Sequence, residues 1–245
     1  MLKELVKLMP KEHYVFVADQ INVPYGEKTK KELEKASLKI CDFLISKKSK
    51  IIVIACNTAT CNVIDFLRVN IKVPLVGTVP AVKPAATLSK SGIIGILSTP
   101  STSKSKSLRE LIRAHANNIK VKNIGCLGLE DVVEKGNLSS PKINELLMKY
   151  TRPIKTAGAD VIVLGCTHYP FLKSQIRKVL KDRSIRLIDS GKAIAKSTKS
   201  VLRQTKNLSR HGGQTDFYTT GNSLLFSKVA SSLLKKSVRA RRIEL

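Results

Sequence analysis

Two stretches of this 245-residue chain are apolar without interruption, Ile51-Ile-Val-Ile-Ala55 and Val161-Ile-Val-Leu164. A strand with one face in water alternates apolar and polar residues, whereas one covered on both faces does not. The two runs therefore predict buried strands of parallel sheets. The rest of the chain keeps the same rhythm. Tyr14–Ala18 reads as a short strand before a turn-rich loop, Asn22-Val-Pro24-Tyr25-Gly26. Residues 30–47 carry apolar side chains at Leu33, Ala36, Leu38, Ile40, Phe43 and Leu44, the spacing of an amphipathic helix. Further strands are predicted at 73–77, 93–97, 121–124 and 186–188. Helices are predicted to about residue 68, near 108–116, at 143–155 and from 192 onward. Short apolar strands alternating with helices indicate an α/β fold with mainly parallel sheets. In such sheets functional groups collect at the carboxyl ends of strands.

Each apolar run ends on the same short pattern. Ala55-Cys56-Asn57-Thr58-Ala59 and Gly165-Cys166-Thr167-His168-Tyr169 both give a small residue, a cysteine, and polar residues opening a helix. The cysteines lie 166 − 56 = 110 positions apart, as an internal duplication of one supersecondary unit would place them. Two such units facing each other would set the thiols on opposite walls of one cleft. Inverting a stereocentre without redox chemistry needs a proton removed from one face and delivered to the other, and so a pair of acid/base groups. A helix start offers unpaired N–H groups and a positive dipole end, which favour thiolate at each cysteine. Asn57, Thr58, Thr167 and His168 supply donors for a substrate carboxylate, and His168 can hold or relay a proton.

Other readings are open to these residues. A single cysteine after a buried strand is usually a small core residue. A metal site from Cys56, Cys61, Cys166 and His168 matches no standard zinc spacing. A cysteine hydrolase leaves the second matching thiol without a task. Cys41, Cys61 and Cys126 read as packing, and Asp19 as a turn former. Five cysteines with no CxxC pair make no disulfide framework. The absence of an apolar run of about 20 residues or of a signal peptide points to a cytoplasmic protein with no membrane partner. The net charge of +26 raises the question of nucleic acid. With 4% aromatics, no Trp, lysines spread along the chain and no motif of a known reader, nucleic-acid binding is not expected.

The two cysteine segments, with Pro170 closing the second, resemble the paired signatures of glutamate racemase in the aspartate/glutamate racemase superfamily. Pro24-Tyr25-Gly26-Glu27-Lys28, Val76-Gly77-Thr78-Val79-Pro80-Ala81, Gly95-Ile-Leu-Ser98-Thr99 with Thr102, Val133-Glu134 and Ile188-Asp189-Ser190-Gly191 follow in the family's order. The resemblance covers nearly the whole chain. It implies two similar α/β domains with mainly parallel sheets flanked by helices, and an active site in the cleft between them. The first domain would comprise residues 1–79 plus 188–245, and the second 80–187. It also implies no cofactor, no metal, and interconversion of L- and D-glutamate that supplies peptidoglycan, and so the cell wall and cell shape. Cys56 and Cys166 would be the two bases, with His168 and Glu134 assisting. Tyr25, Gly26, Asn57, Thr58, Thr102, Thr167 and His168 would contact substrate. A homodimer is compatible with the resemblance, and a sister activity on aspartate is its nearest competitor.

In one respect the sequence departs from the family. Members open with a strand ending in Asp-Ser-Gly-x-Gly-Gly ahead of a helix resembling residues 2–8, and this sequence starts inside that helix. The expectation is either residues encoded upstream or a weakened or inactive remnant, with a basic binding protein on the same fold as the non-enzymatic alternative. The loss would also expose a sheet edge and apolar surface.

Overall fold

Residues 1–138 and 140–245 are described by a computed structural model. The chain runs through helix α1 (Leu2–Leu8), strand β1 (Tyr14–Ala18), α2 (Lys30–Ser46), β2 (Ile52–Ile54), α3 (Asn57–Asn70) and β3 (Leu75–Gly77). It continues with α4 (Val82–Leu88), β4 (Ile93–Ser98), α5 (Pro100–Lys104), α6 (Lys106–His115), β5 (Lys120–Gly125), α7 (Leu129–Glu134) and α8 (Pro141–Thr156). Then follow β6 (Val161–Leu164), α9 (Lys173–Leu180), β7 (Arg186–Ile188), α10 (Gly191–Gln204), β8 (Thr215–Thr219), α11 (Ser223–Leu234) and β9 (Ala240–Arg242). These form two units. Unit 1 holds Met1–Ala55, Asn62–Thr78 and Gly191–Leu245, and unit 2 holds Cys56–Cys61 and Val79–Ser190.

Unit 1 carries two parallel sheets, β1-β8-β9 and β2-β3. Helices α1 and α10 cover them through Leu5, Met9, Ala195 and Leu202, against which Tyr14, Ile51 and Val53 pack. The Tyr14 hydroxyl lies 2.9 Å from the Leu5 carbonyl and 2.8 Å from the Met9 carbonyl, tying the start of β1 to the end of α1. The last three elements were not foreseen. The basic tail supplies β9, which pairs with β8 (Phe217↔Ala240), while Val238 and Ala230 pack on Phe217. The run before Cys56 is shorter and less buried than its composition predicts: only Ile52–Ile54 is strand, Val53 and Ile54 are half-buried, and Ala55 is exposed.

Unit 2 has one parallel sheet in the order β5-β4-β6-β7. All four residues of β6 are buried, as an inner strand requires. Ile94, Ile96, Val161 and Val163 meet Val82, Ala85 and Leu108 of the covering helices. Asp160, just before β6, accepts from the Ser89 hydroxyl and the backbone N–H of Lys90 and Ser91 at 2.6, 2.6 and 3.0 Å, tying the turn ahead of β4 to the start of β6.

Candidate active site

Both cysteines of the repeated pattern belong to unit 2. Cys56 stands at the N-cap of α3: its carbonyl accepts the Thr60 N–H at 3.0 Å, and its Sγ accepts the Ala59 N–H at 3.4 Å. A sulfur thus takes the place of the usual capping oxygen. The second cysteine is held differently. Cys166 leads into a turn, then the 3₁₀ turn Tyr169–Leu172, and only then α9. The pattern is repeated in sequence but not in local structure, because Pro170 and the His168 turn delay the second helix.

Gly165 sets the position of Cys166. Its N–H donates to the Leu97 carbonyl at 2.7 Å. A Cβ at this point would stand 3.0 Å from that carbonyl oxygen and 3.2 Å from the Ser98 Cβ, so any larger residue would require the neighbours on β4 to give by a few tenths of an ångström.

Cys166, His168 and Glu134 form a chain. Sγ of Cys166 lies 3.7 Å from Nδ1 of His168, and Nε2 of the same ring lies 2.7 Å from Oε1 of Glu134 at the end of α7. Burial alone would lower the His168 pKa. Its contacts with Cys166 and Glu134 outweigh that and raise it to about 10, so at neutral pH the ring is an imidazolium and both nitrogens donate.

At Cys56 the balance falls the other way. Desolvation pushes the thiol up to about 12, against the pull of the Ala59 and Thr58 N–H groups, and the nearby Cys166 adds to the rise. The helix start does pull Cys56 toward thiolate, as expected, but loss of water outweighs it, and Cys166 does not stand at a helix start.

The polar residues beside Cys56 divide by role. Asn57 is 2% exposed, and neither its Oδ1 nor its Nδ2 has a hydrogen-bond partner among the described residues. Thr58, Thr99 and Thr102 form a buried triangle of hydroxyls: 2.9 Å from Thr58 to Thr99, 3.1 Å from Thr58 to Thr102 and 3.0 Å from Thr99 to Thr102. Thr102 is fully buried and its hydroxyl is engaged in this triangle, so it braces Thr58. Thr167 is half-buried in the turn after Cys166.

Tyr25 and Gly26 lie in unit 1, in the 3₁₀ turn Tyr25–Glu27. The Tyr25 hydroxyl donates to Asp19 at 2.6 Å, and Asp19 also accepts from the side chains of Asn22 and Thr220.

Sequence reasoning passed over the layer behind Cys166. The buried Tyr169 hydroxyl donates to the Cys126 carbonyl at 3.2 Å and meets Glu130 at 3.4 Å. Glu130 is 6% exposed, and burial raises its pKa. No spacing signal marks it, because Leu129-Glu-Asp-Val-Val-Glu134 reads as an ordinary amphipathic turn. Thr99 stood in a family-like segment without a role of its own, although a threonine followed by proline is a helix-start signature. All five cysteines are free thiols. Among the described residues no group of three or more His, Cys, Asp or Glu side chains is arranged to hold a metal ion, and no helix is long and apolar enough to cross a membrane.

Residues 1–198 match the family model for Asp/Glu/hydantoin racemases. The chain belongs to that family. A glutamate racemase of Ralstonia pickettii is 36% identical over 238 residues, which cover 97% of this chain and 84% of that one. A glutamate racemase from Herpetosiphon aurantiacus is likewise 36% identical, over 95% of this chain and 92% of its own. The crystal structure of a glutamate racemase isoform from Bacillus anthracis superposes with a TM-score of 0.88 at 26% identity, covering 100% of this chain and 92% of that one. The Escherichia coli glutamate racemase, solved with L-glutamate and the activator UDP-MurNAc-Ala, gives 0.85 at 28% identity, covering 98% and 91%. Racemases of this family share the α/β build described above, with parallel sheets flanked by helices.

Proposed function

We propose that this chain is a cofactor-independent glutamate racemase using Cys56 and Cys166 as its two acid/base groups. The observation that carries the reading is the Cys166–His168–Glu134 chain, in the same unit as the N-capping Cys56. The glutamate racemases among its relatives support the choice of substrate.

In this reading one sulfur, as thiolate, takes the α-proton from one face of glutamate, and the other, as thiol, returns a proton to the opposite face. Reversing the direction exchanges the roles. Cys56 rests protonated and so is the donor for the enantiomer whose α-proton faces Cys166. For that enantiomer Cys166 takes the proton first, with the imidazolium of His168 facing its sulfur and Glu134 balancing the ring's charge. The unpaired amide of Asn57 offers both a donor and an acceptor to the substrate's α-amino and carboxylate groups. Thr58, Thr167, Tyr25 and Gly26 are further proposed contacts, with Thr102 holding Thr58 in place. The product would be D-glutamate for peptidoglycan, made in the cytoplasm.

The test is incubation with L-glutamate, and separately with D-glutamate, in D₂O without added pyridoxal phosphate. Loss of the Cα–H resonance together with decay of the circular dichroism of either enantiomer is expected. No exchange with either enantiomer overturns the assignment, and exchange with aspartate alone transfers it to the sister activity.

A further inference from the structure

Helix α7 presents two carboxyls to the turn after β6. Glu134 meets Nε2 of His168 at 2.7 Å. Glu130, one helical turn earlier, meets the hydroxyl of the next residue, Tyr169, at 3.4 Å. The proton transfer proposed above uses only the first of these carboxyls. Glu130 is 6% exposed and Tyr169 is fully buried, so their polar atoms must be satisfied within the protein.

A phenol has one proton to give. The Cys126 carbonyl, which can only accept, stands 3.2 Å from the Tyr169 oxygen and takes it. The contact with Glu130 is then a hydrogen bond only if the carboxyl brings a proton of its own. Its surroundings favour that form. Burial dominates and disfavours the charge, and Asp131 on the same helix acts in the same direction. The residue's own backbone N–H, the His168 ring and the Tyr169 hydroxyl oppose them without prevailing. Glu134 already balances the charge of that ring. Cys126 after β5 and Tyr150 on α8 face the same carboxyl, and neither supplies a positive charge to hold it ionised.

We infer, on the racemase reading above, that Glu130 is a positioning residue: as the neutral acid it donates to Tyr169, Tyr169 donates to Cys126, and this relay fixes the turn carrying Cys166 and His168 against the end of β5. Tyr169 directly follows His168, so a shift of its ring moves the Cys166–His168 pair with it. A neutral Glu130 also keeps a second negative charge away from that pair, where Cys166 must become a thiolate to take a proton.

The test compares Glu130→Gln, Glu130→Leu, Tyr169→Phe and the double change Glu130→Leu with Tyr169→Phe, all in the full chain. The infrared difference between wild type and Glu130→Gln at neutral pH should carry the carbonyl band of a neutral carboxylic acid. A carboxylate band in its place overturns the inference. Glu130→Gln keeps a donor and should restore kcat to within about threefold of wild type. Glu130→Leu and Tyr169→Phe should each lose at least about tenfold in kcat, with KM changed by less than about threefold. Equal kcat in the Gln and Leu variants overturns the inference. Stability should follow another order. Tyr169→Phe leaves a buried acid without its partner and should lower Tm, whereas the double change removes both partners and should recover much of that loss while kcat stays low. A double variant whose Tm falls by the sum of the two single losses overturns the relay. The infrared band and the melts need no substrate. They decide on Glu130 even in a chain that exchanges no proton with glutamate, a failure that falls on the racemase reading alone.

Discussion

Glu134 and His168 are 34 residues apart in sequence and 2.7 Å apart at their polar atoms. The short helix α7 carries one and the turn after β6 carries the other, so the contact depends on the packing of unit 2 and not on any local motif. It also fixes the state of the ring: with Cys166 on the opposite nitrogen, it outweighs burial and keeps His168 cationic at neutral pH.

The first prediction is kinetic. Glu134→Gln keeps the shape and removes the charge, so His168 should lose its proton at lower pH than in the wild type. We expect kcat to fall by about 10²–10⁴-fold with a much smaller change in KM, as for loss of a positioned acid/base group. The alkaline limb of the kcat profile should move toward lower pH. An unchanged profile with unchanged kcat would remove Glu134 from the mechanism.

The same contact makes stability depend on pH. The folded-state pKa of His168 is raised from 6.5 to about 10. Its contribution is therefore complete below about 6.5 and is lost as pH rises toward 10. Cys56, raised to about 12, acts in the same direction at higher pH, since the folded protein resists losing that proton. Thermal melts between pH 6 and 10 should show Tm falling, and the fall should be shallower in His168→Asn. Parallel curves for the two proteins would show that the ring is not the titrating group.

The α/β class and most strands were legible because an apolar run of four or five residues has few other uses in a chain of this composition. Val161–Leu164 forms a fully buried strand where its pattern put it. The run at Ile51–Ala55 looks the same on paper but ends half-exposed, because burial depends on a neighbour that sequence patterning cannot supply. Cys56 and Cys166 stood out by repetition. What repetition hid was their difference: one caps a helix and the other precedes a 3₁₀ turn, and desolvation overrides the helix end at Cys56. Glu134 came only with the resemblance, and Glu130 with neither resemblance nor spacing, since contacts across tens of residues leave no periodic trace.

Asn57 gives a prediction in which stability and binding move in opposite directions. A buried amide with no partner among the described residues carries a desolvation cost of about 1–3 kcal/mol, which a bound ligand relieves. Asn57→Ala, at the first position of α3, should leave Tm unchanged or raise it. The same change should weaken glutamate binding by at least about tenfold, the equivalent of one lost hydrogen bond of about 1.4 kcal/mol. Calorimetric titration and a melt on one sample test both halves. A lower Tm with unaltered binding would make Asn57 a structural residue.

Gly165 carries the last prediction. A methyl group here would press on the Leu97 carbonyl oxygen at 3.0 Å and on the Ser98 Cβ at 3.2 Å. Both neighbours belong to β4, which is paired on two sides and cannot retreat. The strain must then move the other partner, the segment that presents Cys166. Gly165→Ala should cost about 1–3 kcal/mol of stability, as overpacking does. It should also reduce kcat by up to about 10²-fold, because a displacement well below the length of a bond matters at a proton-transfer site. The two effects separate by temperature: lowering it should restore the folded fraction but not kcat per folded molecule. Full recovery of kcat in the cold would mean that the glycine serves folding alone.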